Sequence, residues 1–169
     1  MKPSDHILTN LVIFLLIAIC FSPSAIAATR TISNAGGNWS ATETWVEGQV
    51  PTNADDVVAT GTSGNLTIDS SNCLARTFDM TNYVGILTWT SYARIDLFGN
   101  TFKLSADMAT SFNGYGALRT RGTITPDFAD KYIGGLILDV AGGTTTLGSN
   151  VTLGTITVNS SYSSATFNT

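Results

Sequence analysis

The chain has 169 residues, 43% of them hydrophobic, with 12 acidic and 8 basic side chains and a formal net charge of −4. Only 12% of the residues are charged, and no basic run occurs, so the electrostatic footprint of a nucleic-acid or anionic-lipid binder is missing. The length suffices for one domain with a real core.

The first expected element is an export signal. Met1 to Asn10 carry Lys2, and Leu11 to Phe21 contain no polar side chain except Cys20. Ser22-Pro23-Ser24-Ala25-Ile26-Ala27-Ala28 follows. Charged start, apolar middle and small-residue site are the three parts of a secretory signal peptide. Small side chains at Ala25 and Ala27 fit the peptidase pocket, so cleavage is expected just before Ala28, making 1–27 a signal helix. The apolar run is roughly half of the ~20 residues a spanning helix needs, and Pro23 would break a helix there. No stable membrane span is expected after cleavage. Ile19 before Cys20 does not suit a lipidation site, which wants a small residue there.

Export restricts the chemistry that remains. The signal holds His6, the only histidine in the chain, so the exported part has no Ser–His–Asp triad and no His-ligated zinc. Cys73 is its only cysteine; an intrachain disulfide is impossible, and a buried, inert thiol is expected.

Residues 28–60 read as an N-terminal cap or loop segment. Trp39 and Trp45 stand among turn residues. Two roles compete for them: sealing the open end of a core, or offering a flat indole face to a sugar ring. Sealing weighs more, because loop tryptophans beside turns usually close cores. Asp55 and Asp56 are the only adjacent carboxylates and make a candidate Ca²⁺ site. The simpler role is a hydrogen bond to backbone N–H groups of the preceding turn, since no D-x-D-x-D-G pattern surrounds them. No other cofactor is implied.

Residues 61–169 show short alternating runs between turn-formers. Leu66-Thr67-Ile68-Asp69, Ile95-Asp96-Leu97, Leu136-Ile137-Leu138-Asp139 and Thr155-Ile156-Thr157-Val158 alternate or nearly so. Gly64-Asn65, Gly99-Asn100, Asn113-Gly114 and Gly142-Gly143 punctuate them, as residues that tolerate positive φ do. Many short strands predict an all-β fold. A right-handed parallel β-helix is favoured over a β-sandwich, because Leu66, Leu87, Leu104, Leu118, Leu136 and Leu153 recur at roughly the spacing of a stacked repeat. The last residues, Ser160 to Thr169, resemble another turn and strand start, not a cap, so the solenoid is expected to be truncated at its C-terminal end.

Gly37-Asn38-Trp39, then Trp45-x-x-Gly48-x-x-Pro51, then Asp56-Val57-Val58 form the most distinctive stretch. The segment from Asn34 to Asp69 resembles the opening of bacterial secreted β-helix proteins and adhesins. The resemblance implies an extracellular or cell-surface β-solenoid and no particular reaction.

Catalysis is not expected. Asp69, Asp79, Asp96, Asp107 and Asp139 are candidate carboxylates for glycoside chemistry, and Arg94 and Arg119 candidate partners for an acidic substrate, but no spacing marks a pair. The reading is a structural or adhesin-like surface protein. The alternatives are a carbohydrate-binding or polysaccharide-degrading β-helix, with polysaccharide or cell-surface glycans as partners, and a phage-tail-like fibre, against which the export signal counts.

Overall fold

The computed structural model describes residues 27–139, 145–147 and 152–159. The expected signal helix, Ala25 of the cleavage site and the C-terminal stretch from Ser160 lie outside the described residues. The rest is all-β, and the one helical piece among the described residues is a 3-10 turn at Thr42–Thr44.

Among the described residues, thirteen strands are arranged in three parallel sheets. Sheet one stacks β1 (Thr29–Thr31), β3 (Asp56–Val58), β6 (Thr77–Asp79) and β9 (Phe102–Lys103). Sheet two stacks β2 (Gly37–Asn38), β4 (Leu66–Ile68), β7 (Ile86–Trp89) and β10 (Ala109–Phe112). Sheet three stacks β5 (Cys73–Ala75), β8 (Arg94–Leu97), β11 (Ala117–Thr120), β12 (Tyr132–Leu138) and β13 (Thr152–Val158). From β3 to β11 successive strands enter the three sheets in turn, one strand per sheet per circuit; before that β2 leads straight back to sheet one at β3, and after it β12 and β13 both join sheet three. This is a parallel β-solenoid with the architecture of a right-handed parallel β-helix, the hand that crossovers between parallel strands take. The β-sandwich alternative is excluded, because among the described residues every strand pair is parallel and none is a hairpin.

The strands are short because the chain must turn a corner every few residues. Within them, side chains alternate across the pleat: Leu66 and Ile68 point inward with Thr67 between them, and Leu118 and Thr120 flank Arg119. The inward side chains stack on their counterparts one circuit away. Leu66 lies on Leu87, Ile95 on Leu118, and Leu118 on Leu136. The circuit varies between 18 and 29 residues, longest at the first circuit, a normal range for repeat architectures. Hence leucine spacing is only half a guide. Leu87 stacks on Thr110 and not on Leu104, and Leu153 stacks on Ile133 and not on Leu136.

Segment 28–60 contributes strands β1, β2 and β3 as well as loops. Its tight point is the approach of two glycines. Gly36 has φ +65°, and a Cβ on Gly64 would lie 2.5 Å from the Gly36 nitrogen. Any side chain at Gly64 would force the two loops apart.

Through the interior runs a column of rings. Trp45 meets Trp39 edge-on at 5.1 Å, Trp39 stacks on Phe78 at 6.2 Å, Phe78 on Phe102 at 5.2 Å, and Phe102 tilts against Phe128 at 5.6 Å. A second column joins Trp89, Phe112 and Tyr132. Parallel strands in register place like positions one above another, so aromatic residues one circuit apart pair with favourable geometry.

Tyr83 ties two corners together. Its ring is buried, and its hydroxyl accepts from Leu66 N–H at 2.9 Å and lies 2.9 Å from the Gly64 carbonyl and 3.0 Å from that of Ile86. Burial pushes this phenol above its ordinary value, against the opposing hydrogen bond from Leu66. Cys73 is buried as expected, and burial pushes its thiol up to about 12.

Candidate functional site

Trp39 and Trp45 are each only 2% exposed. Neither presents an indole face to solvent, so the sugar-platform role is corrected and the sealing role describes them. The reason is local. The 3-10 turn and an antiparallel bridge between Ile32 and Trp45 fold the loop back across the first circuit. Trp45 Nε1–H then donates to the Trp39 carbonyl at 2.9 Å, which satisfies the one polar group of a buried indole.

Asp55 and Asp56 do not form a joint cation site. The pleat sends adjacent side chains to opposite faces, and each carboxylate finds its own donors. Asp55 is buried and accepts from the N–H and the hydroxyl of Thr52, both at 2.8 Å, with the Arg30 guanidinium 3.4 Å away. Burial alone would raise its pKa; the Thr52 bonds and Arg30 outweigh this and hold it below the ordinary value. Asp56 instead accepts from Arg76 and, at 2.5 Å, from the Thr77 hydroxyl. Among the described residues no group of three or more His, Cys, Asp or Glu side chains is placed to hold a metal ion. Ala27 and Ala28, at the expected cleavage point, lead directly into β1.

The other candidate carboxylates separate into isolated partners and one cluster. Asp69 accepts from the N–H and hydroxyl of Ser40, and Asp79 caps the turn at Thr81 and lies 4.0 Å from Lys103. Asp107 is exposed. Asp96, Asp139, Arg94 and Arg119, by contrast, meet on the outer face of sheet three, together with Arg121, which sequence reasoning missed. Asp96 and Arg119 occupy the same outward position on β8 and β11. One oxygen of Asp96 accepts from Arg94 Nε at 2.6 Å and from Arg119 Nε at 2.9 Å. The other accepts from Arg119 Nη2 and, at 3.5 Å, from Arg121 Nη2. Asp139 lies 3.6 Å from Arg119 and 3.3 Å from Arg121, and accepts from Asn159. The signal that could have found Arg121 is its place two residues after Arg119, just past the end of β11, where a period of two keeps the same face.

This ladder is not an acid–base pair awaiting substrate. Asp96 has 2% side-chain exposure although it faces outward, because three guanidiniums roof it over. Both its oxygens are occupied by charge-assisted hydrogen bonds. The arrangement holds three circuits together through their outer surface: β8, β11 and the residue after β12.

Beside the ladder lies a groove of about 310 Å³, lined by Ser71, Tyr92, Ala93, Arg94, Tyr115, Ala117 and Ile137. Tyr92 and Tyr115 occupy the same corner one circuit apart and stack with centroids 5.7 Å apart, yet they are 70% and 72% exposed. Tyr92 has φ 61°, in the left-handed region that a bulky residue rarely adopts. The corner thus carries two large rings in solvent, one of them on strained backbone.

Comparison with known proteins adds no identity: no family model, no curated protein and no solved structure matches the chain. The class that fold and surface define is a parallel β-solenoid with a sealed first circuit and a charged ladder outside.

Proposed function

We propose that the chain is a secreted or cell-surface structural protein, an adhesin-like β-solenoid of the kind its Asn34 to Asp69 segment resembles, and that it works as a scaffold without catalysis of its own. The observation that supports this reading is the stacking itself. Ring columns inside and a guanidinium–carboxylate ladder outside join successive circuits, which makes a stiff rod whose sides are display surfaces. The candidate carboxylates for hydrolysis, Asp69, Asp79, Asp96, Asp107 and Asp139, are each engaged by donors of the fold or stand alone, whereas glycoside cleavage needs two that flank a bond.

The test is processing and placement. The full chain, expressed with a C-terminal tag in a bacterium with a working export system, is expected outside the cytoplasm with Ala28 as its first residue by mass spectrometry. External protease should remove the tag from intact cells or find the protein in the medium. A cytoplasmic product that retains Met1 to Ala27 would sink the exported-scaffold reading.

A further inference from the structure

We propose that the groove beside Tyr92 and Tyr115 binds a carboxylate-bearing polysaccharide along the outer face of sheet three. The proposal rests on the surface-scaffold reading for its biological setting but not for its chemistry.

Three independent features converge there. The first is the ring pair. Two tyrosines in successive circuits stay largely in water, although burying an aromatic ring is the strongest apolar gain a fold of this size has available. The left-handed backbone at Tyr92 holds one of them outward, and such strain clusters at ligand sites. Flat apolar rings with a hydroxyl at the tip suit the C–H face of a pyranose and its rim of hydroxyls.

The second feature is charge. The chain as a whole carries −4, yet the ladder that borders the groove sets Arg94, Arg119 and Arg121 against Asp96 and Asp139. Three cations face two carboxylates, so the cluster has a surplus of one positive charge. Arg94 lines the groove itself and fixes its guanidinium through Nε on Asp96 at 2.6 Å. Its Nη groups make no hydrogen bond or ion pair among the described residues, and a guanidinium so left can donate to a carboxylate in the bidentate manner it favours. A locally positive groove on an acidic protein selects an anionic ligand.

The third feature is shape. Ala93, Ala117 and Ile137 supply the apolar lining of the groove beside the rings and the guanidinium. The small side chains of Ala93 and Ala117 keep the groove open to solvent, which admits a chain molecule rather than an enclosed small ligand. A carboxylate-free glycan would leave Arg94 unanswered; a small anion would leave the rings unanswered. An acidic polysaccharide answers both.

The experiment is affinity gel electrophoresis of the purified full chain in gels containing alginate, with dextran as the neutral polymer and dextran sulfate as a charge-only polymer. The wild type should be retarded by alginate and not by dextran. Tyr115→Ala and Tyr92→Ala should each weaken retardation by alginate about tenfold, the equivalent of ~1.4 kcal/mol. Arg94→Gln should abolish the preference for alginate over dextran. Both tyrosine variants remove exposed rings and should keep the wild-type unfolding midpoint, so lost binding cannot be ascribed to lost fold. Absence of retardation in alginate overturns the proposal. So does retardation that all three variants retain, or retardation by dextran sulfate equal to that by alginate and indifferent to Tyr115→Ala, which would mark plain ion exchange. Single-stranded RNA that displaces alginate competitively would reassign the groove to nucleic acid and likewise overturn it. A protein that binds alginate but fails to be exported would refute the surface-scaffold reading alone.

Discussion

Circuits of this solenoid are joined in two ways, and the two regions obey different physics. Inside, Trp39, Trp45, Phe78, Phe102 and Phe128 are stacked without charge and almost without exposure. Outside, on sheet three, Arg94, Asp96, Arg119, Arg121 and Asp139 perform the same joining with ions. Removal of a ring opens a cavity that water does not fill well. Removal of an ion uncovers partners that water can partly solvate, because Arg119 and Arg121 keep 19% and 33% side-chain exposure. The interior should therefore dominate stability, and the ladder should set the character of one face.

The largest expected effect lies at the sealed end. Trp45→Ala removes a ring 2% exposed, its edge contact with Trp39 and its hydrogen bond to the Trp39 carbonyl. A loss of about 3–5 kcal/mol is expected, read as a lower urea midpoint in equilibrium unfolding. A loss below ~1 kcal/mol would mean that the first circuit is not closed by this residue. Whether the loop around Trp45 seals anything is thus decided by stability and not by ligand binding.

That loop also shows what was and was not legible beforehand. Alternation in Leu66-Thr67-Ile68 and Leu136-Ile137-Leu138 reveals strands and their inward face, because pleating has a fixed period of two. The solenoid follows from short strands between frequent turns. Stacking partners do not follow, since the circuits differ in length and nothing local announces that Leu87 will lie on Thr110. The same limit hides the ladder. Asp96 and Arg119 are both visible as candidates, yet their meeting depends on the register between β8 and β11, which interior packing decides. The tyrosine corner escapes notice for another reason: Tyr92 and Tyr115 lie in turns, where exposure cannot be read from periodicity.

The next effect is interior too but visible only at high pH. Burial first, and then the charges of Asp69 and Asp96, push the Cys73 thiol up to about 12 from an ordinary 9.0, against hydrogen bonds from the Ser70 and Asp69 backbone. The folded state therefore holds this proton more tightly than the unfolded chain. Its contribution is complete below pH 9 and is lost as pH rises toward 12, at about 1.4 kcal/mol per pH unit. Tyr83, also raised by burial, acts in the same direction. In Cys73→Ala the alkaline decline of the urea midpoint should become shallower, with the remainder due largely to Tyr83. Identical alkaline profiles for variant and wild type would show that the thiol does not titrate with unfolding.

The outer ladder should respond less. Asp96→Ala leaves Arg94, Arg119 and Arg121 facing one another around an empty centre. Breaking a fully buried ion pair costs about 3–5 kcal/mol; here the guanidiniums are partly wet, so about 2–3 kcal/mol is expected. The deficit should shrink in high salt, which screens the uncovered repulsion, whereas the Trp45→Ala deficit should not. Equal salt responses would erase the distinction between the two regions. Below both stands Tyr83→Phe, which keeps the ring and deletes the hydroxyl that accepts from Leu66 N–H. About 1–2 kcal/mol should be lost, since a buried donor is left unmatched.

The smallest effect should have the opposite sign. Thr120 is an inward residue of β11, 0% exposed, between Leu97 and Leu138 in the sheet-three stack. Its hydroxyl oxygen has no hydrogen-bond partner among the described residues. The interior here carries a polar atom where its neighbours carry methyl groups, and desolvation of that atom is not offset. Thr120→Val exchanges the hydroxyl for a methyl of nearly the same shape and keeps the β-branch that suits a strand. A gain of about 0.5–1 kcal/mol is expected, measured as a higher urea midpoint with an unchanged slope. If Thr120→Val destabilises instead, the hydroxyl has a role that apolar stacking does not supply. The contrast between an ion-free interior and an ionic exterior would then need a polar exception within the third sheet, on the same strand that carries Arg119 on its other face.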